Sequence, residues 1–140
     1  PVIYATNVAD SDLATGNEMV ETVRKLAEAE GAKVVVVSAQ VEAEMAEFDK
    51  DEKAEFLGEL GIDDPNSTGL NALVTAAYEL LGLRTYFTTG PTETRAWTIN
   101  AGWKAPQAAG VIHQDFERGF IRAETISYED LVKLGSEKAA

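Results

Sequence analysis

The spacing of apolar positions changes several times along the chain, and each change marks an element. Val2 to Thr6 is a short apolar run rich in β-forming residues. A polar loop, Asn7 to Asn17, follows it, and then Met19, Val20, Val23, Leu26 and Ala27 fall on one face at helical spacing until Gly31 ends the pattern. Val34 to Val37 is an unbroken β-branched run, the pattern of a parallel strand covered on both sides. Strand, helix and strand in this order predict a βαβ unit of right-handed connection.

Helical spacing resumes near Val41 and continues through an acidic stretch to Glu59, keeping Met45, Phe48, Phe56, Leu57 and Leu60 for burial. Asp63-Asp64-Pro65-Asn66-Ser67 reads as a turn into a capped helix. On that helix Leu70, Leu73, Val74, Ala77, Leu80 and Leu81 form a continuous stripe expected to be core. Beyond Gly82 the period becomes two: Arg84 to Thr89 and Glu93 to Ile99 alternate, and Gly90-Pro91 between them predicts a hairpin. Pro106 suits the first turn of a short helix containing Gln107 to Ile112. Phe120 to Ile126 reads as a further strand, and Ser127 as the cap of a last helix beginning at Tyr128.

Charge sharpens the division near Leu83. The formal net charge is −12, and residues 1–83 account for it with 17 acidic and 5 basic side chains, whereas residues 84–140 carry 7 of each. Two domains, 1–83 and 84–140, are therefore expected. The acidic first half repels phosphate backbones, which argues against broad nucleic-acid binding there and leaves the neutral half open to a local contact. Its charge run is read as a solvated face; no EF-hand spacing occurs and no metal site is assigned. An apolar content of 45% is enough for a core. The absence of cysteine excludes disulfides, thiolate metal sites and Cys nucleophiles, and suits a reducing cytoplasm. No apolar run is long enough to span a membrane, and nothing reads as a signal peptide. The start at Pro1, without Met and already inside a strand-like pattern, suggests a piece of a longer polypeptide.

Two loops carry the strongest chemical signal. Asn7-Val8-Ala9-Asp10 follows the first strand, where P-loop GTPase folds keep the base-specificity motif NKxD, although four such residues also suit a turn or helix cap. Ser38-Ala39-Gln40 follows the second strand, the place of the SAK-like loop whose backbone N–H groups meet the base edge. Loops at the C-terminal ends of adjacent parallel strands are where α/β folds bind ligands. Asn7, Val8, Asp10, Ser38, Ala39 and Gln40 are thus the candidate base-binding set. No GxxxxGK[ST] loop occurs, so the chain has neither phosphate cradle nor Mg²⁺-binding hydroxyl; alone it is expected to lack ATPase activity and to hold no nucleotide tightly.

A second constellation comprises Arg95, Trp97, Trp103, Lys104, Gln107, His113, Asp115, Arg118 and Arg122. No nucleophile accompanies His113 and Asp115, so no catalytic residue is assigned and His113 is read as a structural hydrogen-bonding residue. Aromatic and basic side chains interleaved on a small sheet suit RNA recognition. Arg95, Lys104, His113, Arg118 and Arg122 are the candidate RNA or ribosome contacts, while Trp97 on an alternating strand is more often core.

VIYATNVAD, VVVVSAQVEAEMAEF, LNALVTAAYELLGL, RTYFTTGPTETRAWTI and APQAAGVIHQDFERGFIRAETISYEDL resemble the YchF (Obg-like) ATPase family along nearly the whole chain. The resemblance implies an α/β fold: the C-terminal part of a P-loop GTPase-type domain followed by an incomplete α+β β-grasp domain, called TGS. The phosphate-binding loop, switch regions and coiled coil are expected before Pro1, and the closing β-grasp strands beyond Ala140. It implies a ribosome-associated, cytoplasmic hydrolase of a purine nucleotide, ATP or GTP with Mg²⁺. Val8 stands where NKxD has Lys, and Asp10 where the family usually has Glu. Asp suits guanine, which narrows but does not reverse the preference for ATP. An unfinished β-grasp would expose a sheet edge that invites self-association, with partial disorder within 120–140. The alternatives are a non-enzymatic module binding RNA or a ribosomal protein, and a small-ligand regulatory domain by fold analogy.

Overall fold

The computed structural model describes residues 1–136, and the chain divides into two compact units, Pro1–Leu83 and Arg84–Ala140. Both mix helices with a two-stranded sheet.

In the first unit, β1 (Ile3–Asn7) pairs in parallel with β2 (Lys33–Val37), Asn7 lying opposite Val37. Between them runs α1 (Glu18–Glu30). The Asn17 side chain accepts hydrogen bonds from the Met19 and Val20 N–H groups, both at 3.1 Å, which satisfies two donors left over at the helix start. Gly31, at φ 66°, ends the helix in the left-handed conformation. Val20 and Ala27 are buried and Val23 is half-buried, but Met19 and Leu26 of the expected face are exposed. A two-stranded sheet is narrow, and it covers only the line from Val20 to Ala27.

The helix expected to run from Val41 to Glu59 is broken. It divides into α2 (Ala39–Glu44), a 3₁₀ turn (Met45–Glu47) and α3 (Lys50–Glu59). Asp49 makes the break: its Oδ1 accepts from the Asp51 and Glu52 N–H groups at 2.9 and 3.0 Å, and Glu52 Oε2 accepts the Asp49 N–H at 2.9 Å. This reciprocal cap starts a new helix more favourably than it continues the old one. Met45 and Leu57 are buried, and Phe48, Phe56 and Leu60 pack against the same cluster as Leu13, Val20, Val36, Val41 and Ile62. Phe48 and Phe56 meet edge to face, centroids 5.6 Å apart.

The turn over 63–67 forms as expected, Asp64 Oδ1 accepting the Asn66 N–H at 2.9 Å, and α4 (Gly69–Leu80) follows. Its apolar stripe is only partly core. The covered positions are Gly69, Ala72, Leu73, Ala76, Ala77 and Leu80, whereas Leu70, Val74 and Leu81 are half or more exposed. The apolar arc of this helix is wider than the sheet it packs on, and α4 contacts both β1 and β2.

In the second unit, β3 (Leu83–Thr89) and β4 (Thr94–Asn100) form the expected hairpin, their four-residue connection permitting only antiparallel pairing. The Gly90 N–H donates to the Glu93 carbonyl at 2.9 Å, and Trp97 Nε1 to Thr88 Oγ1 at 2.9 Å. Next come α5 (Ala105–Gly110), with Pro106 in its first turn, α6 (Gln114–Arg118) and α7 (Tyr128–Leu134), whose first turn is capped by the Ser127 hydroxyl accepting the Asp130 N–H at 3.1 Å. The Tyr86 hydroxyl donates to the Ala108 carbonyl at 2.9 Å, tying the hairpin to α5. Burial raises the pKa of that hydroxyl above its usual value.

The expected strand over Phe120–Ile126 is absent. The segment is irregular, Ile121 is 91% exposed, and 120–126 pairs with no strand among the described residues. The expectation of disorder within 120–140 reaches residues 137–140, which lie outside the described residues.

Candidate functional site

The parallel register brings the ends of β1 and β2 side by side, so the loops that follow them adjoin. The Val8 N–H donates to the Val37 carbonyl at 2.9 Å, carrying the strand pairing one residue past β1. Asn7 then reaches across: its side-chain oxygen accepts the Ala39 N–H at 2.9 Å. Because a backbone N–H can only donate, the atom facing it is Oδ1, which fixes the amide orientation and leaves the Nδ2 amide as a donor.

The remaining residues of the set divide by what holds them. Val8 packs against the core, so at this position, where NKxD carries Lys, the side chain serves packing. Ser38 is buried, 1% exposed, and its hydroxyl accepts the Val41 N–H at 3.4 Å as the cap of α2; what it presents to the loop is backbone. Ala39 and Gln40 are exposed, and Gln40 Nε2 donates along α2 to Glu44 Oε1 at 3.1 Å. Asp10 is exposed at the start of a 3₁₀ turn (Asp10–Asp12), its Oδ1 accepting the Ser11 N–H at 2.7 Å. One carboxylate oxygen remains for an outside donor. Together the loops offer an amide donor from Asn7, a carboxylate from Asp10 and the backbone at Ala39 and Gln40.

A groove of about 450 Å³ lies elsewhere in the first unit, between α1, β2 and α4. Thr15, Gly16, Arg24 and Thr75 line it, with Lys33 ion-paired to Glu79 at its margin. None of the six candidate base-binding residues borders it.

In the second unit the five candidate contact residues do not form one cluster of hydrogen bonds. The Arg95 guanidinium lies 4.2 Å from the Trp97 ring centroid, a cation–π contact. Lys104 precedes α5, and its N–H donates to Gln107 Oε1 at 3.0 Å. His113 caps α6, its Nδ1 accepting the Asp115 N–H at 3.2 Å, so this nitrogen carries no proton in that arrangement. The structural reading of His113 matches that geometry. Arg118 and Arg122 are exposed, and neither has an ion pair among the described residues. Glu42, one carboxylate in an acidic run, carries no local signal that singles it out. Its carboxylate accepts the Leu70 N–H at 2.8 Å, a contact 28 positions away that no local periodicity signals.

Comparison with known proteins adds the family. Residues 83–140 match the family model YchF-GTPase_C, described as "Protein of unknown function (DUF933)". The whole chain aligns with the ribosome-binding ATPase YchF of Bacillus subtilis at 51% identity over 142 residues, and with that of Haemophilus influenzae at 51% over 140 residues; it spans 38% of each relative's length. A solved structure, the Schizosaccharomyces pombe YchF GTPase, superposes on 99% of the chain with a TM-score of 0.81 at 35% identity, the match covering 36% of that protein. Sequence and fold agree over the full length of the chain, which therefore belongs to the YchF family.

Proposed function

We propose that residues 1–83 supply the base-recognition half of a purine-nucleotide site, in the C-terminal part of a P-loop GTPase-type domain, and that residues 84–140 form a TGS-type domain contacting the ribosome. The observation that carries the first part is the Asn7 Oδ1 to Ala39 N–H hydrogen bond of 2.9 Å, which ties together two loops at the C-terminal ends of parallel strands. ATP is favoured over GTP, in keeping with the name ribosome-binding ATPase that the bacterial relatives bear, although the Schizosaccharomyces pombe protein is called a GTPase. Asp10 is the residue on which that preference turns. The phosphates and Mg²⁺ require groups outside these loops, so hydrolysis is assigned to the full-length, cytoplasmic protein and not to this chain alone.

Binding of ATP and GTP by the full-length protein tests the reading. Asn7→Ala is expected to weaken both nucleotides about tenfold, since it removes the tether between the loops and a donor. Asp10→Glu is expected to shift the ratio further toward ATP. Unchanged affinity in the first variant removes the site, and an unchanged ratio in the second removes Asp10 as its discriminator.

For the second unit, the Arg95–Trp97 cation–π pair favours contact with RNA, because it places a cation and an aromatic surface side by side. β3 and β4 are both edge strands among the described residues, which is the basis for proposing pairing with another copy.

A further inference from the structure

We infer that Glu42 is a positioning residue for the loop Ser38–Gln40, acting as a latch between α2 and the first turn of α4. The inference rests on the nucleotide-site reading for its functional consequence, and on geometry alone for the latch itself. α2 spans six residues, too few to be stable by its own hydrogen bonds, and its Ser38 cap is long at 3.4 Å. Something outside the helix must fix it. Val41, 1% exposed, anchors its inner face in the core. The next residue, Glu42, holds its flank by accepting the Leu70 N–H at 2.8 Å.

Three features of the α4 start fit this role. Thr68, at the cap position, makes no side-chain capping bond, so the Glu42 carboxylate supplies the acceptor that the first turn lacks. A carboxylate there also meets the favourable end of the helix dipole. Gly69, at φ 65°, has no Cβ; one placed there would collide with Glu42 Oε1, so a side chain at 69 would evict the latch. The chain of contacts runs from Leu70 through Glu42 and α2 to the Ala39 N–H, which meets Asn7.

Amide hydrogen exchange of the whole chain, read by NMR at Leu70 and Ala39, tests the latch without nucleotide. In Glu42→Ala both amides are expected to exchange about tenfold faster, while the Ala27 amide in the core of α1 stays protected and shows that the unit is folded. Glu42→Gln keeps an acceptor of the same shape and is expected to restore most of the protection. Gly69→Ala is expected to resemble Glu42→Ala. Asn7→Ala is expected to free Ala39 and leave Leu70 protected. If Glu42→Ala frees Leu70 but leaves Ala39 unchanged, Glu42 is a helix cap only and the inference falls. In the full-length protein, Glu42→Ala is expected to weaken ATP binding several-fold. If the wild-type protein binds no ATP while both amides respond, the latch stands and the nucleotide reading falls.

Discussion

Among the described residues, every fully buried apolar side chain lies in the first unit and none in the second. Leu13, Val20, Val36, Val41, Met45, Leu57 and Ile62 form one cluster, and each large side chain so placed contributes about 1.5–3 kcal/mol by leaving water. The second unit is held by caps, a hairpin and a few polar contacts, such as the bonds from Tyr86 to Ala108 and from Trp97 to Thr88, each contributing about 0.5–1.5 kcal/mol net. The difference bears on where chemistry can be precise. Loops seated on a packed core, with Val8 and Val41 as anchors, can hold Asn7 and Ala39 at hydrogen-bonding distance, whereas a surface of half-buried residues suits recognition that tolerates adjustment.

The largest test of this contrast is in the core. Leu57→Ala is expected to destabilise the first unit by about 2–5 kcal/mol, since Leu57 is only 5% exposed and its removal leaves a cavity. Both tryptophans, Trp97 and Trp103, belong to the second unit, so their fluorescence reports that unit, while core amides such as Ala27 report the first. Denaturant titration followed by both probes should show the loss at Ala27. A loss of the same size at the tryptophans would erase the distinction between the units.

Much of the first unit was legible because its signals are local. Val34 to Val37, Asn17 before α1 and Gly31 after it each state their conformation within a few residues, and the parallel pairing then places Asn7 beside Ala39. The rest depended on partners distant in sequence. Met19, Leu26, Leu70, Val74 and Leu81 have the right spacing for a core face, but spacing does not reveal how wide the covering sheet is. Glu42 sits in an acidic run that reads as solvated, and its function depends on an N–H 28 positions later. In the second unit Phe120 to Ile126 has strand composition without a strand partner. Composition describes what a segment tolerates, and only a neighbouring edge makes it a strand.

A smaller effect is expected from Tyr86. Tyr86→Phe removes the bond to the Ala108 carbonyl and is expected to cost the second unit about 1 kcal/mol, seen in the tryptophan transition. The pH dependence has a definite sign. Burial raises the folded-state pKa above the ordinary 10, so this contribution is fully present below pH 10 and is lost as pH rises through the folded value. Tyr4, raised chiefly by its hydrogen bond to Glu30 and also by desolvation and the Glu30 charge, gives the first unit a dependence of the same sign. The fluorescence transition of Tyr86→Phe should therefore flatten above pH 10 relative to wild type, while the Ala27 amide keeps its decline. Equal flattening at both probes would contradict assignment of this titration to the second unit.

The smallest effect is expected at Ile121, the most exposed large apolar side chain in the described chain at 91%. Ile121→Ala is expected to leave the tryptophan transition within about 0.5 kcal/mol, because nothing is uncovered when an already solvated side chain is shortened. The comparison with Leu57 is then direct: two aliphatic truncations, one in each unit, separated by burial alone. A loss above about 1 kcal/mol that grows with protein concentration would mean that a second copy covers Ile121. In that case the second unit does have a core, completed between molecules, and the contrast with the first unit would be one of where its apolar surface is buried.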